Sequence, residues 1–318
     1  MAGIVEEQTR LDLCFDSLTG LSVGDALGAQ FFMPGRSVID LAQGMPPDGP
    51  WEWTDDTEMA CSIVAELRDH HTIDSDRLAG HFAHRCEPYR GYGGAAVGIL
   101  HQIRDGVPWQ DATRAAFNGH GSCGNGAAMR VAPLGAYFAD NPRHAAAQAI
   151  GSAEVTHAHP EGVLGAVAVA VVAATAGAAR RSGTRPAPGT ILGSAAEYVT
   201  DGQVHRGLQR ALRLLGATVT EAGYELGNGS RTTAQDTVPF ALWVAATRLE
   251  DYPAAITACV EAGGDMDTTA AIVGGIVAAY TGIGDRPGAI GVPPAWVERR
   301  EPLPAWAGRG RGMGLSRG

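Results

Sequence analysis

Apolar residues recur at i, i+3, i+4 and i+7 in 57–68 (TEMACSIVAELR), 125–138, 142–153 and 203–215 (QVHRGLQRALRLL), the repeat of helices that bury one face. Strict polar–apolar alternation, the signature of a half-buried strand, is scarce. Long Ala and Leu stretches punctuated by Gly, Pro and Asp predict many packed helices, whose small faces let the axes approach closely. The expected class is all-α. Residues 164–179 (LGAVAVAVVAATAGAA) form the longest apolar run. A bilayer span needs roughly 20 residues, so this run predicts a buried helix that stops at Arg180 and Arg181. Gly- and Pro-rich composition predicts loops at 33–51 and 181–189. Candidate motifs lie on both sides of the second loop, which favours one domain over 1–307. From 308 a tail (GRGRGMGLSRG) has almost nothing to bury and is expected to be disordered.

Composition narrows the chemistry. The chain has 318 residues, and its 24 basic residues are all arginine. Without lysine there is no Walker A phosphate loop, Schiff base or lysine nucleophile. Any bound phosphate must be held by Arg, backbone N–H groups, helix N-termini or metal. Against those 24 stand 34 acidic residues, giving a net charge of −10. That balance opposes adhesion to nucleic acid or an anionic membrane. The five cysteines form no CxxC pair and read as buried free thiols in a reducing compartment. The N-terminus MAGIVEEQTR carries acids where a signal peptide needs basic and apolar residues, so a cytoplasmic location is expected.

Two acidic turns stand out. Thr54-Asp55-Asp56-Thr57 precedes an amphipathic helix, and its consecutive oxygen donors converge on a cation only at a turn or helix N-terminus. The alternative is a capping box with Asp55 as N-cap and Glu58 three residues on. Gly263-Gly264-Asp265-Met266-Asp267-Thr268-Thr269 repeats the grammar ahead of an apolar helix, where capping is again the alternative. If the fold sets the turns face to face, four carboxylates and two hydroxyls meet, a crowding tolerable only around cations. Oxygen-only donors select Mg²⁺ or Mn²⁺ over zinc. Two ions about 3.5–4 Å apart would suit activation of a water or of substrate hydroxyls.

A third segment, Phe117-Asn118-Gly119-His120-Gly121-Ser122-Cys123-Gly124-Asn125-Gly126, is a glycine-rich turn expected to run into a helix, with free N–H groups suited to a diphosphate. It also satisfies GxGxxG. DATRAAF before it reads as helix where a Rossmann unit needs a strand, and no acid closes a βαβ unit at the proper distance. Arg90-Gly91-Tyr92-Gly93-Gly94 precedes another helix, where glycine serves either a ligand or tight packing. Thr156-His157-Ala158-His159 lacks the partners of a zinc site, and His157 is expected to form hydrogen bonds or pack.

In order, GDALGAQFF (24–32), WTDDTEMA (53–60), RGYGGAAV (90–97), FNGHGSCGNGAAMRVA (117–132), THA (156–158), ELGNG (225–229) and GGDMDTTAAIVGGIVAAYTG (263–282) resemble the ADP-ribosylglycohydrolase family over about residues 15–285. The resemblance is strongest to its serine-type branch. It implies a compact, orthogonal multi-helix domain with a binuclear Mg²⁺ centre, or Mn²⁺ in its place, beneath an ADP-ribose cleft. By match to the family's motifs, Thr54, Asp55 and Asp56 would hold one ion, Asp265 and Thr268 the other, and Asp267 would bridge. Phe117 matches an adenine-stacking aromatic, and Gly121, Ser122, Cys123, Gly124, Asn125 and Gly126 match the diphosphate loop. Gly94 falls near the distal ribose, and His157 matches a ligand-contacting histidine. Phe32 stands where the serine-type enzyme carries a metal-ligating Glu, and Cys123 where it carries Tyr.

The expected function is therefore metal-assisted hydrolysis of the bond between the distal ribose of ADP-ribose and a modified acceptor, with Asp55 or Asp56 as general base. A non-catalytic ADP-ribose reader, suggested by Phe32, and a metal-dependent phosphoesterase are the alternatives. A monomer is expected, with no membrane partner and no nucleic acid beyond an ADP-ribosylated one.

Overall fold

The structure, a computed structural model, describes residues 2–309. Among them sixteen α-helices and a few 3₁₀ turns follow one another, with isolated β-bridges and no strand. The all-α, single-domain architecture is as expected.

The N-terminal helix Ala2–Ala29 lies along Met266–Thr281, and glycine sets their separation. A Cβ on Gly20 would fall 2.4 Å from Gly274 O, one on Gly24 2.2 Å from Ala270 O, and one on Gly28 2.5 Å from Met266 O. The stripe at i, i+4 and i+8 thus lets the two backbones touch. This contact brings Asp25 beside the second acidic turn, since the Gly28 Cβ position is 2.8 Å from Asp267 Cα.

Asp55–His70 begins at the N-cap Thr54, carries Asp55, Asp56 and Glu58 in its first turn and Arg68 and His70 in its last, and ends at His71 in the left-handed region (φ 62°). Those charges complement the helix dipole at both ends. The apolar run becomes Pro160–Ser182, with Pro160 in its first turn. As expected it stops at Arg180 and Arg181, which lie in its last turn, where cations are favourable; it closes at Ser182, and Gly183 (φ 66°) ends it. This helix is the one described segment long and apolar enough to cross a membrane, yet 78% of its richest window is buried inside the protein. Ala234–Thr247 packs beside it and adds Phe240 and Trp243 to the core.

Other expectations shift. The helical periodicity over 125–138 resolves into a 3₁₀ turn, Asn125–Ala127, and a short helix, Ala132–Tyr137. Within the loop 33–51 lies a short helix, Val38–Ala42. Gly308 O accepts from Arg68, and Arg309 pairs with Asp12; the rest of the expected tail, 310–318, lies outside the described residues. All five cysteines are free, four of them buried and Cys123 half-buried.

Candidate active site

The first acidic turn is built around a residue absent from the expected ligand set. Asp25 Oδ2 accepts from Thr54 N (2.9 Å), Thr57 N (3.2 Å) and Thr57 Oγ1 (2.5 Å), and Oδ1 accepts from Thr54 Oγ1 (2.8 Å). Three of the four donors fall on Oδ2 and one on Oδ1, so Asp25 clamps the Thr-Asp-Asp-Thr turn onto the N-terminal helix while Oδ1 keeps a lone pair. The capping-box alternative is corrected: Thr54, not Asp55, is the N-cap, accepting from Asp56 N. Glu58 turns away to accept from Tyr92 Oη (2.6 Å) and Glu87 N (3.1 Å).

The second turn needs Gly263 and Gly264 at φ 66° and 73°, a region open to glycine. A Cβ on Gly264 would lie 2.4 Å from Asn228 O, the carbonyl that accepts from Asp265 N (3.0 Å). The ELGNG segment thereby buttresses the acidic turn. Asn125 Nδ2 donates to Asp265 Oδ2 (2.7 Å) and Thr237 Oγ1 (3.0 Å), tying the glycine loop to the same place. Asp267 Oδ1 accepts from Thr268 N (2.8 Å).

The two turns converge. Asp25, Asp56 and Asp267 each present a carboxylate oxygen within 4.8 Å of the others. Burial, then repulsion from Asp25 and Asp265, pushes the Asp55 carboxyl up to about 7. Burial outweighs the four donors at Asp25 and lifts it to about 6. Asp56 and Asp267 are raised well above the usual carboxylate range, by burial first and then by their acidic neighbours. Asp56 Oδ1 is buried without a hydrogen-bond partner, a costly state for a polar atom. Hard oxygen donors, mutual repulsion and an orphaned carboxylate oxygen together fit a divalent cation.

Above the cluster opens a cleft of about 400 Å³. Asp55, Asp56, Asp265, Asp267 and Thr268 form its floor; Phe117 and Ser122 to Gly126 form a wall with His157. Phe117 is 55% exposed at the rim and holds a left-handed backbone (φ 53°). Arg231, Thr232 and Thr233 also line the cleft, beside the glycine loop, to which they are joined by Asn125 N→Thr232 O and Ala234 N→Cys123 O.

Three expected residues lie behind this surface or beside it. Thr54 serves as brace, Gly121 is packed against Ala158 and His159, and Gly94 begins Gly94–Arg104 while Gly91, Gly93, Ala95 and Ala96 face the cleft. The helix expected directly after the glycine loop gives way to the 3₁₀ turn Asn125–Ala127, with Ala132–Tyr137 helical beyond it, because Asn125 is held by its side-chain bonds and by its N–H to Thr232 O; backbone amides, rather than a helix dipole, are what the loop offers. Phe32 ends the turn Gln30–Phe32, is half exposed, and is not among the cleft-lining residues. Arg90 grips Glu301 through both terminal nitrogens over the Trp53 ring, 3.4 Å from its centroid. This arginine thus fixes the segment beside the first turn. Sequence reasoning missed Asp25, Arg130 and Arg231; a lone Asp between Gly24 and Gly28 in an otherwise small and apolar helix was the available signal for the first.

Comparison with known proteins agrees with this arrangement. Residues 6–311 match the family model described as ADP-ribosylglycohydrolase. ADP-ribosylhydrolase ARH3 of Gallus gallus is 31% identical, with 89% of this chain and 88% of that protein covered, and the Homo sapiens ARH3 is 30% identical with the same coverage. ADP-ribosyl-[dinitrogen reductase] glycohydrolase of Rhodospirillum rubrum is 29% identical over 47% of this chain and 52% of its own length. A solved structure titled ADP-ribosylglycohydrolase-related protein complex superposes with a TM-score of 0.64 at 25% identity, covering 92% of this chain and 94% of that one. With a family model spanning nearly its whole length and both acidic turns meeting in one cleft, the chain belongs to the ADP-ribosylglycohydrolase family.

Proposed function

We propose that the protein hydrolyses the glycosidic bond between the distal ribose of ADP-ribose and a modified acceptor, releasing ADP-ribose. The observation that carries this reading is the convergence of Asp55, Asp56, Asp265 and Asp267 on the floor of the cleft that the glycine loop walls. The names of the ARH3 relatives support the substrate class.

Asp55, Asp56, Asp265, Asp267 and Thr268, with the Thr54 oxygen behind them, would hold Mg²⁺ or Mn²⁺, two ions by the family resemblance. When bound, the cation supplies Lewis-acid polarisation of ribose hydroxyls and water. The remaining work falls to the chain. Asp55, ionised once the cation offsets the repulsion of its acidic neighbours and placed on the cleft floor, takes a proton from the attacking water, and the departing acceptor carries a proton away. In the Ser122–Gly126 loop Gly124 N already donates to Ser122 Oγ and Asn125 N to Thr232 O, so the remaining backbone N–H groups receive the diphosphate in place of the absent lysines. Phe117 stacks on adenine at the rim. Burial and the neighbouring Arg130 push His157 down to about 3, so at neutral pH it meets the substrate uncharged.

A reader that binds without cleaving draws on one feature: all carboxylates among the described cleft-lining residues are aspartates, so no glutamate takes the place that Phe32 leaves. Incubation of the full chain with peptides ADP-ribosylated on serine or on arginine, in Mg²⁺ or Mn²⁺, separates the readings. Released ADP-ribose is the expected product. AMP would point to attack at phosphorus, and calorimetric binding with no product would establish the reader.

A further inference from the structure

Arg130 is fully buried beneath the cleft, and among the described residues no carboxylate pairs with it. Its guanidinium lies 4.5 Å from the Phe82 ring centroid, and Nη1 donates only to the weak acceptor Met59 Sδ (3.3 Å). Nη2 donates to Ser152 O (2.8 Å) and to Thr156 Oγ1 (2.9 Å). A buried cation without an anionic partner is expensive, and its bonds here lead toward the site.

Pairing every buried proton sets the direction of those bonds. Arginine only donates, so Thr156 Oγ1 accepts from it with one lone pair; accepting Nδ1–H on the other would orphan the hydroxyl proton, whose acceptor is therefore the neighbour 2.8 Å away, His157 Nδ1. No other acceptor for the Thr156 hydroxyl is found among the described residues. Nδ1 then carries the lone pair and Nε2 the proton. Nε2 sits under the glycine loop, 3.2 Å from where a Cβ on Gly124 would lie and 3.3 Å from that on Gly126. Both glycines leave the ring room to face the cleft.

We propose that Arg130 and Thr156 are positioning residues that lock His157 as the Nε2–H tautomer, giving the cleft a fixed, neutral donor for an oxygen of the bound ADP-ribosyl group. The ligand side of this inference rests on the function proposed above; the tautomer does not.

Selective ¹⁵N-histidine labelling of the full chain tests it, with His157 assigned by the signal lost in His157→Asn. In the wild type, between about pH 6 and 8, Nε2 is expected to be protonated and Nδ1 bare. Thr156→Val, which keeps the shape and removes the hydroxyl, should give mixed tautomers and weaken ADP-ribose binding about tenfold, the scale of one lost neutral hydrogen bond. Thr156→Ser should restore both. Arg130→Met, its fold checked by circular dichroism, should likewise populate Nδ1–H. A wild-type ring protonated at Nδ1, or a Thr156→Val ring unchanged from wild type, overturns the inference. Failure of the wild type to bind ADP-ribose overturns the functional reading instead, and the ring spectrum still decides the tautomer.

Discussion

Asp56 concentrates the physics of the site at one residue. Its Oδ1 is buried without a partner, and its carboxyl is pushed far up by burial and by Asp25, Asp267, Asp55 and Asp265. Such a group destabilises a metal-free protein, and a bound cation would offset that cost. Asp56→Asn is therefore expected to reduce ADP-ribose release by at least about 10²-fold, while the metal-free variant melts no lower than the metal-free wild type. Retained turnover, or a variant that no longer melts cooperatively, would contradict this. Asp55, Asp56, Asp265 and Asp267 could be read from sequence because acids at i and i+1 or i+2 beside glycine and threonine are rare in a helix-rich chain. Asp25 could not be assigned in the same way. Its role comes from four hydrogen bonds to a segment about thirty residues away, which no local spacing encodes.

At the scale of elements, the distance between Ala2–Ala29 and Met266–Thr281 governs the site, because the first carries Asp25, which clamps the Thr54–Thr57 turn, and the second carries Asp267. Gly24→Ala places a methyl group 2.2 Å from Ala270 O, and backbone must move to accept it. A loss of about 1–3 kcal/mol in urea unfolding is expected, with weaker cation binding as Asp25 and Asp267 part. Gly193→Ala, in Pro188–Ala196 with nothing within 4 Å of its Cβ position, is the control, expected to be neutral or stabilising by up to about 1 kcal/mol. Equal destabilisation by both would refute the packing argument. Periodicity made Asp55–His70, Pro142–Glu154 and Gly202–Arg213 legible, and the apolar run did so for Pro160–Ser182; the long helix Ala2–Ala29, which meets Met266–Thr281 through a glycine stripe, and which helix pairs with which were not. The 3₁₀ turn at Asn125–Ala127 also escaped periodicity, because the side-chain bonds of Asn125 to Thr237 and Asp265 override the local pattern.

For the whole molecule, the cluster links stability to pH and to metal. Unfolded, an aspartate titrates near its ordinary 3.8; folded and metal-free, Asp25 sits at about 6 and Asp55 at about 7, with Asp56 and Asp267 also raised. Over that window the folded state holds more protons than the unfolded chain, so stability is complete below about pH 4 and is lost as pH rises through the folded values. In EDTA the melting temperature should fall from about pH 5 to about pH 8, at up to about 1.4 kcal/mol per pH unit for each proton retained. An Asp56→Asn/Asp267→Asn double variant should flatten the slope, which separates the cluster from the general repulsion of a chain with net charge −10. A cation must displace those protons, so Mg²⁺ should raise the wild-type melting temperature more at the higher pH. Titration calorimetry of Mg²⁺ and Mn²⁺ into EDTA-stripped wild type and Asp267→Asn, near neutral pH, addresses the shared cation site itself. The account predicts saturable binding of two ions to the wild type and loss of that binding in the variant; no cation binding to the wild type, or equal binding to both proteins, would contradict it.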